Sequence, residues 1–229
     1  MTFYERIYQI FHPIVNLLYR IDAVGVENIP EGGAIIAANH TSLSDPIVIS
    51  AAAKRQVRYM AKKELFFFPL GPFIRALGAY PVDRGGADVS SIRKTIAMVE
   101  EGELIGIFPQ GHRNGGKDPR TTEIKPGIGM IEYHTRSVVI PVFLSNKRMK
   151  TAMFRKNTVI FGEPITFEEL AYTGGGNAEY LRASRMIFDR VCSLHYGALP
   201  AAEEPLKLRE PEDPANAETN EQKNGEDEA

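Results

Sequence analysis

A histidine and an aspartate stand five positions apart in the segment Asn39-His40-Thr41-Ser42-Leu43-Ser44-Asp45-Pro46. The apolar run that precedes them, residues 34–38, predicts a short buried strand. His40 would then follow the carboxyl end of a strand, where open α/β sheets place their ligand sites. If the loop folds Asp45 back onto the imidazole, the carboxylate fixes the tautomer and leaves the other ring nitrogen free to accept a proton. The segment therefore predicts a general base, His40, oriented by Asp45.

The same residues also have a purely structural interpretation. The pair Asp45-Pro46 is typical of a helix start, with Asp45 as the N-cap and Pro46 at the first helical position. In that case Asp45 only caps the helix predicted for residues 46–54, and His40 is an ordinary loop residue. Both interpretations fit the spacing, so the choice between them depends on the rest of the chain.

Three cationic side chains follow other predicted strands. Arg84 closes a short strand, Arg113 lies in the loop after the strand at residues 104–108, and Lys125 lies just beyond. Guanidinium groups match the oxygens of a phosphate, and Gly111 lets backbone amides approach an anion closely. Each arginine alone is also typical of a surface ion pair. Their shared position at strand ends favours a site that binds an anion beside His40.

The order of apolar segments indicates the fold class. Strands alternate with helices, which predicts an α/β fold with a mostly parallel central sheet and flanking helices. The first two strands are expected at residues 24–29 and 32–38, and the last long helix at residues 177–196. Pro141 is expected to break the strand at residues 137–143.

Charge separates the chain into a body and a tail. Residues 201–229 contain ten acidic and three basic residues, a net charge of −7, whereas residues 1–200 contain 24 basic and 19 acidic residues, a net charge of +5. The tail has too few apolar residues to fold and is expected to be disordered. The mildly basic body suits an anionic substrate or an anionic membrane surface, and no nucleic-acid partner is expected. The single cysteine, Cys192, excludes an intramolecular disulfide and is expected in the core.

Two apolar segments are candidates for membrane contact. Residues 3–20 show helical spacing of apolar side chains, with Pro13 expected to kink or divide the helix. This helix either packs on the core or lies in a membrane interface. The three phenylalanines at residues 66–68 likewise either fill the core or form an exposed apolar patch. No apolar run of 18 residues and no secretory signal is visible, so a classical spanning helix is not expected. The predicted organisation is a membrane-associating helical segment at residues 1–22, a folded domain at 23–200 and the acidic tail at 201–229.

Four short blocks of the chain together resemble a known family. They are residues 39–45, 78–84, 108–113 and 139–142, and their order and content are similar to those of glycerolipid acyltransferases of the 1-acylglycerol-3-phosphate acyltransferase type. The resemblance covers about residues 24–165. The third block departs from the family pattern, because Gln110 stands where the family usually has Glu and His112 where it usually has Thr.

The resemblance implies transfer of a fatty acyl group from acyl-coenzyme A or acyl carrier protein to 1-acylglycerol 3-phosphate, which gives phosphatidic acid. His40 would act as the general base and Asp45 would orient it, without a metal, another cofactor or an acyl-enzyme. The protein would work on the cytoplasmic side of a membrane, attached peripherally or monotopically. The substrate-binding residues implied by the resemblance are Asn39, Asp83, Arg84, Gln110, Gly111, Arg113, Lys125 and Pro141, of which Arg84, Gly111 and Arg113 would hold the phosphate.

Three alternatives remain open on the sequence alone. Gln110 leaves room for another acceptor, such as glycerol 3-phosphate or a different lysolipid. A lipid hydrolase is a second class, although Ser42 and Ser44 do not lie in a Gly-x-Ser-x-Gly turn. A non-catalytic membrane lipid-binding module is a third, suggested by Gln110 and opposed by the presence of His40 and Asp45.

Overall fold

Seven strands of the described chain form one sheet, and helices pack against it. The computed structural model describes residues 3–82 and 89–197. The strands are β1 Ile21–Val24, β2 Ala34–Ala38, β3 Val57–Lys62, β4 Ala79–Val82, β5 Leu104–Ile107, β6 Val139–Ser145 and β7 Asn157–Phe161. The helices are α1 Phe3–Tyr19, α2 Asp45–Ala53, α3 Leu70–Ala76, α4 Val89–Glu100, α5 Gly127–Thr135 and α6 Asn177–Tyr196.

The sheet is mostly parallel, as predicted. Its strand order is β1-β7-β6-β2-β5-β3-β4, and every neighbouring pair is parallel except β6 with β7. Parallel neighbours need long crossover connections, which the intervening helices supply. The α/β class with flanking helices is therefore confirmed for the described residues.

Strand β2 lies at the centre of the sheet. It pairs with β5 on one side and β6 on the other, and all five of its residues are at most 1% exposed. A continuous apolar run is what a parallel strand covered on both faces requires. The buried strand predicted at residues 34–38 is confirmed, and the segment that follows it leaves from the carboxyl edge of the sheet.

The helices fall into two groups of mutual contacts. Helix α1 contacts α2, and α2 contacts β1 and β3. Helix α5 contacts both α4 and α6, and α6 also contacts β2 and β6. Helix α2 is apolar over most of its surface and buries Val48, Ile49 and Ala51. It therefore holds the segment between β2 and β3 firmly against the core.

Two sequence predictions about strands were wrong. The strand predicted at residues 24–29 ends at Val24, because Gly25 adopts φ +76° and a 3-10 turn follows at Val26–Asn28. A Cβ atom on Gly25 would lie 2.0 Å from the carbonyl oxygen of Phe161, so the chain passes too close for a side chain there. Pro141 does not break β6 either. Its carbonyl accepts a hydrogen bond from the Gly162 amide, on the side of β6 that faces away from β2.

Helix α1 continues through Pro13 without being divided. Its exposed apolar side chains include Leu17, which is 77% exposed, and Ile14, which is 48% exposed. Among the residues that the structure describes, no helix is both long enough and apolar enough to cross a membrane.

Helix α6 covers the sheet with one apolar face and matches its predicted bounds. Its residue Ser184 accepts a hydrogen bond from the Gly129 amide of α5 at 3.0 Å, which fixes the two helices against each other. Cys192 lies on the same face and is 1% exposed, as predicted for a core residue. Burial raises the pKa of the Cys192 thiol to about 12, since the thiolate would have to form away from water.

Helix α5 buries an acidic side chain. Glu132 is 0% exposed, and within the described part of the chain neither of its carboxyl oxygens has a hydrogen-bond partner. The nearby Tyr172 hydroxyl donates to the Gly129 carbonyl at 3.0 Å. Burial raises the pKa of Glu132 to about 7, and the proximity of Tyr172 offsets only part of that effect.

Candidate active site

Three central strands deliver the candidate residues to one edge of the sheet. Because β2, β5 and β6 run in parallel through the β2 pairings, their carboxyl ends lie side by side. His40 follows β2, Gln110 follows β5, and the loop of residues 146–156 follows β6. This convergence is where an open α/β sheet forms a ligand site.

His40 and Asp45 form a hydrogen-bonded pair. The imidazole Nδ1 lies 2.8 Å from Asp45 Oδ2. The His40 side chain is 17% exposed, whereas Asp45 is fully buried. The pair therefore has one end that substrate can reach and one end enclosed by protein.

The surroundings of Asp45 show that it is not the helix cap. Its Oδ2 accepts hydrogen bonds from the backbone amides of Thr41 at 2.5 Å and Ser42 at 2.7 Å, and its Oδ1 accepts one from the Thr41 hydroxyl at 3.0 Å. The N-cap of α2 is Ser44, which makes no side-chain capping bond. The prediction of Asp45 as N-cap was wrong, because its carboxylate points back into the preceding loop and holds that loop against the imidazole.

This geometry sets what His40 can do chemically. A carboxylate oxygen only accepts hydrogen bonds, so Nδ1 carries the hydrogen in the neutral imidazole. The lone pair is then on Nε2, the nitrogen that does not contact Asp45. A histidine in this tautomer can take a proton from a hydroxyl group and pass it on to a leaving group.

Phe108 covers one face of the imidazole. The two rings stack with centroids 4.0 Å apart and an angle of 15° between their planes. Tyr59 stacks on Phe108 in turn, at 5.8 Å. The Tyr59 ring crosses β5 at Gly106, where a Cβ atom would lie 2.1 Å from it. A glycine at this position is therefore needed for the stack of three rings.

Gln110 is buried and hydrogen-bonds the start of the loop that carries His40. It is 1% exposed, its Oε1 accepts a hydrogen bond from the His40 amide at 2.7 Å, and its Nε2 donates to the Thr122 hydroxyl at 2.6 Å. The His40 carbonyl accepts a second bond from the Asn114 amide at 2.8 Å. Both backbone groups of His40 are thus bonded to the loop that follows β5.

Asn39 and Pro141 also contact the protein framework. Asn39 is 1% exposed, and its side chain bonds both backbone groups of Leu144, with Nδ2 donating at 3.1 Å and Oδ1 accepting at 2.7 Å. Pro141 is buried within β6, at the position that pairs with Ala37. These contacts position the ends of β2 and β6, and the binding of substrate by Asn39 and Pro141 stays a prediction.

The predicted phosphate-binding residues are only partly brought together. Gly111 adopts φ +71°, and a Cβ atom on it would lie 3.4 Å from Lys125 Cγ, so the Lys125 side chain passes beside this turn. The Lys125 Nζ donates to Glu123 at 2.5 Å, and this hydrogen bond, together with the lysine charge, holds the pKa of that exposed carboxyl below its ordinary value. Arg113 is exposed in the same loop. Asp83 and Arg84 lie outside the described residues.

Sequence reasoning missed Thr41 and Thr151. The Thr41 hydroxyl donates to Asp45, so at its oxygen it accepts from the Thr151 amide and the Thr151 hydroxyl, each at 3.0 Å. The loop after β5 also passes close to Thr41, since a Cβ atom on Gly115 would lie 2.4 Å from the Thr41 carbonyl oxygen. Nothing in the local spacing signals this contact, because 110 positions separate the two threonines.

Among residues 3–82 and 89–197, no group of three histidine, cysteine, aspartate or glutamate side chains is close enough to hold a metal ion.

Comparison with known proteins agrees with this architecture. The family model described as Acyltransferase matches residues 20–145, more than half of the chain. A Bacillus subtilis protein named 1-acyl-sn-glycerol-3-phosphate acyltransferase is 32% identical over 164 residues, 69% of this chain and 80% of that protein. A Streptococcus pneumoniae protein of the same name is 28% identical over 59% of this chain and 51% of its own length.

A solved structure shows the same fold. The crystal structure of the 1-acyl-sn-glycerophosphate (LPA) acyltransferase PlsC from Thermotoga maritima matches with a TM-score of 0.59 and 21% identity, over 89% of this chain and 80% of that chain. The matched family region contains His40, Asp45 and the loop after β5. The resemblance seen in the four sequence blocks is thereby confirmed, and the chain belongs to the acyltransferase family.

Proposed function

We propose that the protein transfers a fatty acyl group from an acyl thioester to the free hydroxyl of 1-acylglycerol 3-phosphate, giving phosphatidic acid for phospholipid synthesis. The observation that carries the proposal is the 2.8 Å contact between His40 Nδ1 and a buried Asp45 whose oxygens accept three further hydrogen bonds. The names of the relatives from Bacillus subtilis and Streptococcus pneumoniae support this acceptor.

The proposed reaction is a direct transfer. Nε2 of His40 takes the proton from the acceptor hydroxyl as its oxygen attacks the thioester carbonyl. The tetrahedral intermediate then collapses, the carbon–sulfur bond breaks, and the imidazolium returns the proton to the leaving thiolate. The products are the new ester and a free thiol, so no oxidant, metal or acyl-enzyme is required. A well-positioned base contributes on the order of 10²–10⁴-fold to such a step.

The acceptor phosphate is assigned to the loop after β5. Gly111, Arg113 and Lys125 lie in or beside this loop, and by resemblance Arg84 completes the set. Two guanidinium groups and one ammonium group suit a phosphate dianion. Lys125 would exchange its contact with Glu123 for the substrate phosphate.

The lipid acceptor implies work at a membrane surface, and we propose attachment on its cytoplasmic side through α1 and the residues 66–68. Phe67 is 59% exposed and Phe68 is 86% exposed, which supports the interpretation of this segment as a surface patch. Either coenzyme A or acyl carrier protein remains a candidate carrier of the acyl group.

The first experiment is an acyl-transfer assay in detergent with a panel of acceptors: 1-acylglycerol 3-phosphate, glycerol 3-phosphate and neutral lysolipids. Each is tested with an acyl-coenzyme A and an acyl carrier protein donor. The expected result is turnover with the phosphate-bearing lysolipid and its loss in His40→Ala. The matched control is His134→Ala, an exposed histidine on α5 that should keep full activity.

Other results would redirect the proposal. Turnover with glycerol 3-phosphate would assign a different acceptor to the same chemistry. Release of free fatty acid without ester formation would indicate a hydrolase. Lipid binding with no turnover in any assay would favour the non-catalytic lipid-binding module.

A further inference from the structure

The loop that joins β6 to β7 has an unusual composition. Residues 146–156 contain five basic residues and no acidic residue, and no acidic residue occurs anywhere between Glu132 and Glu163. Two methionines and one phenylalanine are interspersed with the cations. We refer to residues 146–156 as the basic-apolar loop.

The cations and two of the apolar side chains of this loop face solvent. Met153 is 44% exposed and Phe154 is 72% exposed, and all five cations are exposed. Among residues 3–82 and 89–197, Lys156 is the one member of the five that pairs with a carboxylate, that of Asp22 at 2.8 Å. Four positive charges of the loop, namely those of Lys147, Arg148, Lys150 and Arg155, therefore have no acidic partner in the described chain.

Phe154 adopts a backbone conformation that aromatic residues rarely take. Its φ is +60°, in the left-handed region that favours glycine and asparagine. Its amide donates to the Leu18 carbonyl of α1 at 2.5 Å, which anchors the turn while the ring remains outside the core. Since the ring gains little burial in the folded protein, core packing does not explain a phenylalanine at this position.

The basic-apolar loop lies beside the candidate active site. Its residue Thr151 bonds Thr41, which in turn bonds Asp45. Leu43, which lies between the two residues of the catalytic pair, is 66% exposed, and Leu17 of α1 is 77% exposed. Exposed apolar side chains from three segments thus border the edge of the sheet that carries His40.

We propose that the basic-apolar loop docks the protein on an anionic lipid bilayer, with Met153 and Phe154 in the headgroup interface and the unpaired cations on lipid phosphates. The inference rests on the proposed function, because a lipid acceptor resides in such a bilayer. The complementary charges favour an anionic surface over a neutral one. The apolar residues among the cations favour a bilayer over a nucleic acid, which offers no apolar interface.

Docking through this loop turns the His40 edge toward the membrane. A lysolipid acceptor could then reach Nε2 while its acyl chain remained in the bilayer. This assigns to the loop a function separate from that of α1 and residues 66–68, which lie on other segments of the chain.

The test measures cosedimentation of the full chain with lipid vesicles. One set of vesicles contains phosphatidylcholine alone and the other contains phosphatidylcholine with phosphatidylglycerol. The charge variant combines Lys147→Gln, Arg148→Gln and Arg155→Gln. The apolar variant is Phe154→Asn, because asparagine tolerates the left-handed conformation. The matched control combines Arg93→Gln, Lys94→Gln and Arg185→Gln, three exposed cations on α4 and α6.

We expect the unmodified protein to prefer the anionic vesicles and to dissociate as salt is raised to 1 M, where charges are screened beyond about 3 Å. The charge variant should bind the anionic vesicles about 100-fold more weakly, and Phe154→Asn about 10-fold more weakly. The control should bind as the unmodified protein does. In detergent with a dispersed substrate, all variants should keep their acyl-transfer rates.

Three results would overturn the docking proposal. These are equal binding to neutral and anionic vesicles, equal loss of binding in the control, and a competing polyanion such as RNA binding more tightly than the vesicles do. Loss of binding only on Phe67→Ser with Phe68→Ser would assign docking to that patch instead. If no acceptor reacts in detergent but the loop variants still lose vesicle binding, the docking inference stands and the proposed activity fails.

Discussion

The buried carboxylate of Asp45 accepts four hydrogen bonds. Three donors meet at Oδ2, namely His40 Nδ1 and the amides of Thr41 and Ser42, and the Thr41 hydroxyl meets Oδ1. The carboxylate therefore orients the imidazole and also fixes the loop from which the imidazole projects. Removing its charge should affect activity through both functions.

Asp45→Asn should lower kcat by about 10²–10⁴-fold, because an amide can present its NH₂ group to Nδ1 and favour the wrong tautomer of His40. Steady-state acyl transfer with the preferred acceptor measures the effect. Asp189→Asn on α6 is the matched control and should retain its rate. A kcat within a factor of three of the unmodified enzyme would contradict the assigned role of Asp45.

Gln110 occupies the position where related chains usually carry Glu, and its contacts explain how an amide fits there. Gln110→Glu should keep the acceptor preference, since a carboxylate oxygen still accepts from the His40 amide. It should destabilise the protein by about 1–3 kcal/mol, because the donor to Thr122 is lost inside the protein. Gln110→Ala should lower kcat below that of Gln110→Glu, because it removes the acceptor of the His40 amide. Acceptor panels and denaturant unfolding of both variants test this, and a changed acceptor preference in Gln110→Glu would refute it.

The sequence predicted the contact between His40 and Asp45 but not the residues that support it. His40 and Asp45 are five positions apart, so a single loop determines their contact. The partners of Asn39 and Gln110 lie 105 and 70 positions away, and only the order of strands in the sheet brings them together. Side chains that bond distant backbone groups leave no local pattern, so these contacts of Asn39 and Gln110 could not be predicted from the sequence.

At the scale of elements, the stack of Tyr59, Phe108 and His40 depends on β5 having no side chain at Gly106. Gly106→Ala should displace the Tyr59 ring, lower the free energy of unfolding by about 1–3 kcal/mol and reduce kcat as Phe108 loses its support. Urea unfolding and steady-state kinetics measure the two effects. Gly32→Ala is the matched control, since no atom lies within 4 Å of its added Cβ. Equal behaviour of the two variants would show that the stack does not position His40.

The bounds of a helix or strand were predictable where its apolar pattern was long and its ends were clearly marked. Helix α6 has a long apolar stripe between flanking glycines, and its predicted bounds agree with the structure. The first strand was misplaced, because the chain turns at Gly25, between Val24 and Val26, where both neighbouring residues suit a strand. Pro141 shows the opposite case. Its carbonyl and missing amide lie on the side away from β2, opposite Gly162, which is one position beyond the end of β7, so the proline removes no hydrogen bond between β6 and β2.

At the scale of the whole molecule, buried Glu132 should make stability depend on pH. Its pKa rises from an ordinary value near 4.5 to about 7 in the folded state, so the folded state binds the proton more tightly than the unfolded state. The stability of the unmodified protein relative to Glu132→Gln should therefore fall as pH rises from about 4.5 to 7. We expect a relative change on the order of 3 kcal/mol between pH 4.5 and pH 8.

Urea unfolding of both proteins at the two pH values measures this change. Comparing the two proteins removes the contributions of other titrating groups, which both share. A difference in stability that is the same at both pH values would mean that Glu132 does not titrate in this range.

The general topology could also be predicted at this scale. Alternation of strands and helices predicts a parallel sheet, and a parallel sheet places the loops after its central strands at one edge. What the sequence could not predict is which of the polar residues in those loops face outward, because exposure depends on helices that pack from both faces.

The buried Cys192 has a practical consequence for measuring the proposed reaction. Each acyl transfer from a thioester releases one free thiol, which colorimetric disulfide reagents detect continuously. The enzyme's own single thiol is 1% exposed, and burial raises its pKa to about 12, so very little reactive thiolate forms at neutral pH. The folded enzyme should therefore give no background colour and lose no activity to the reagent, and a slow release of colour would report its unfolding instead.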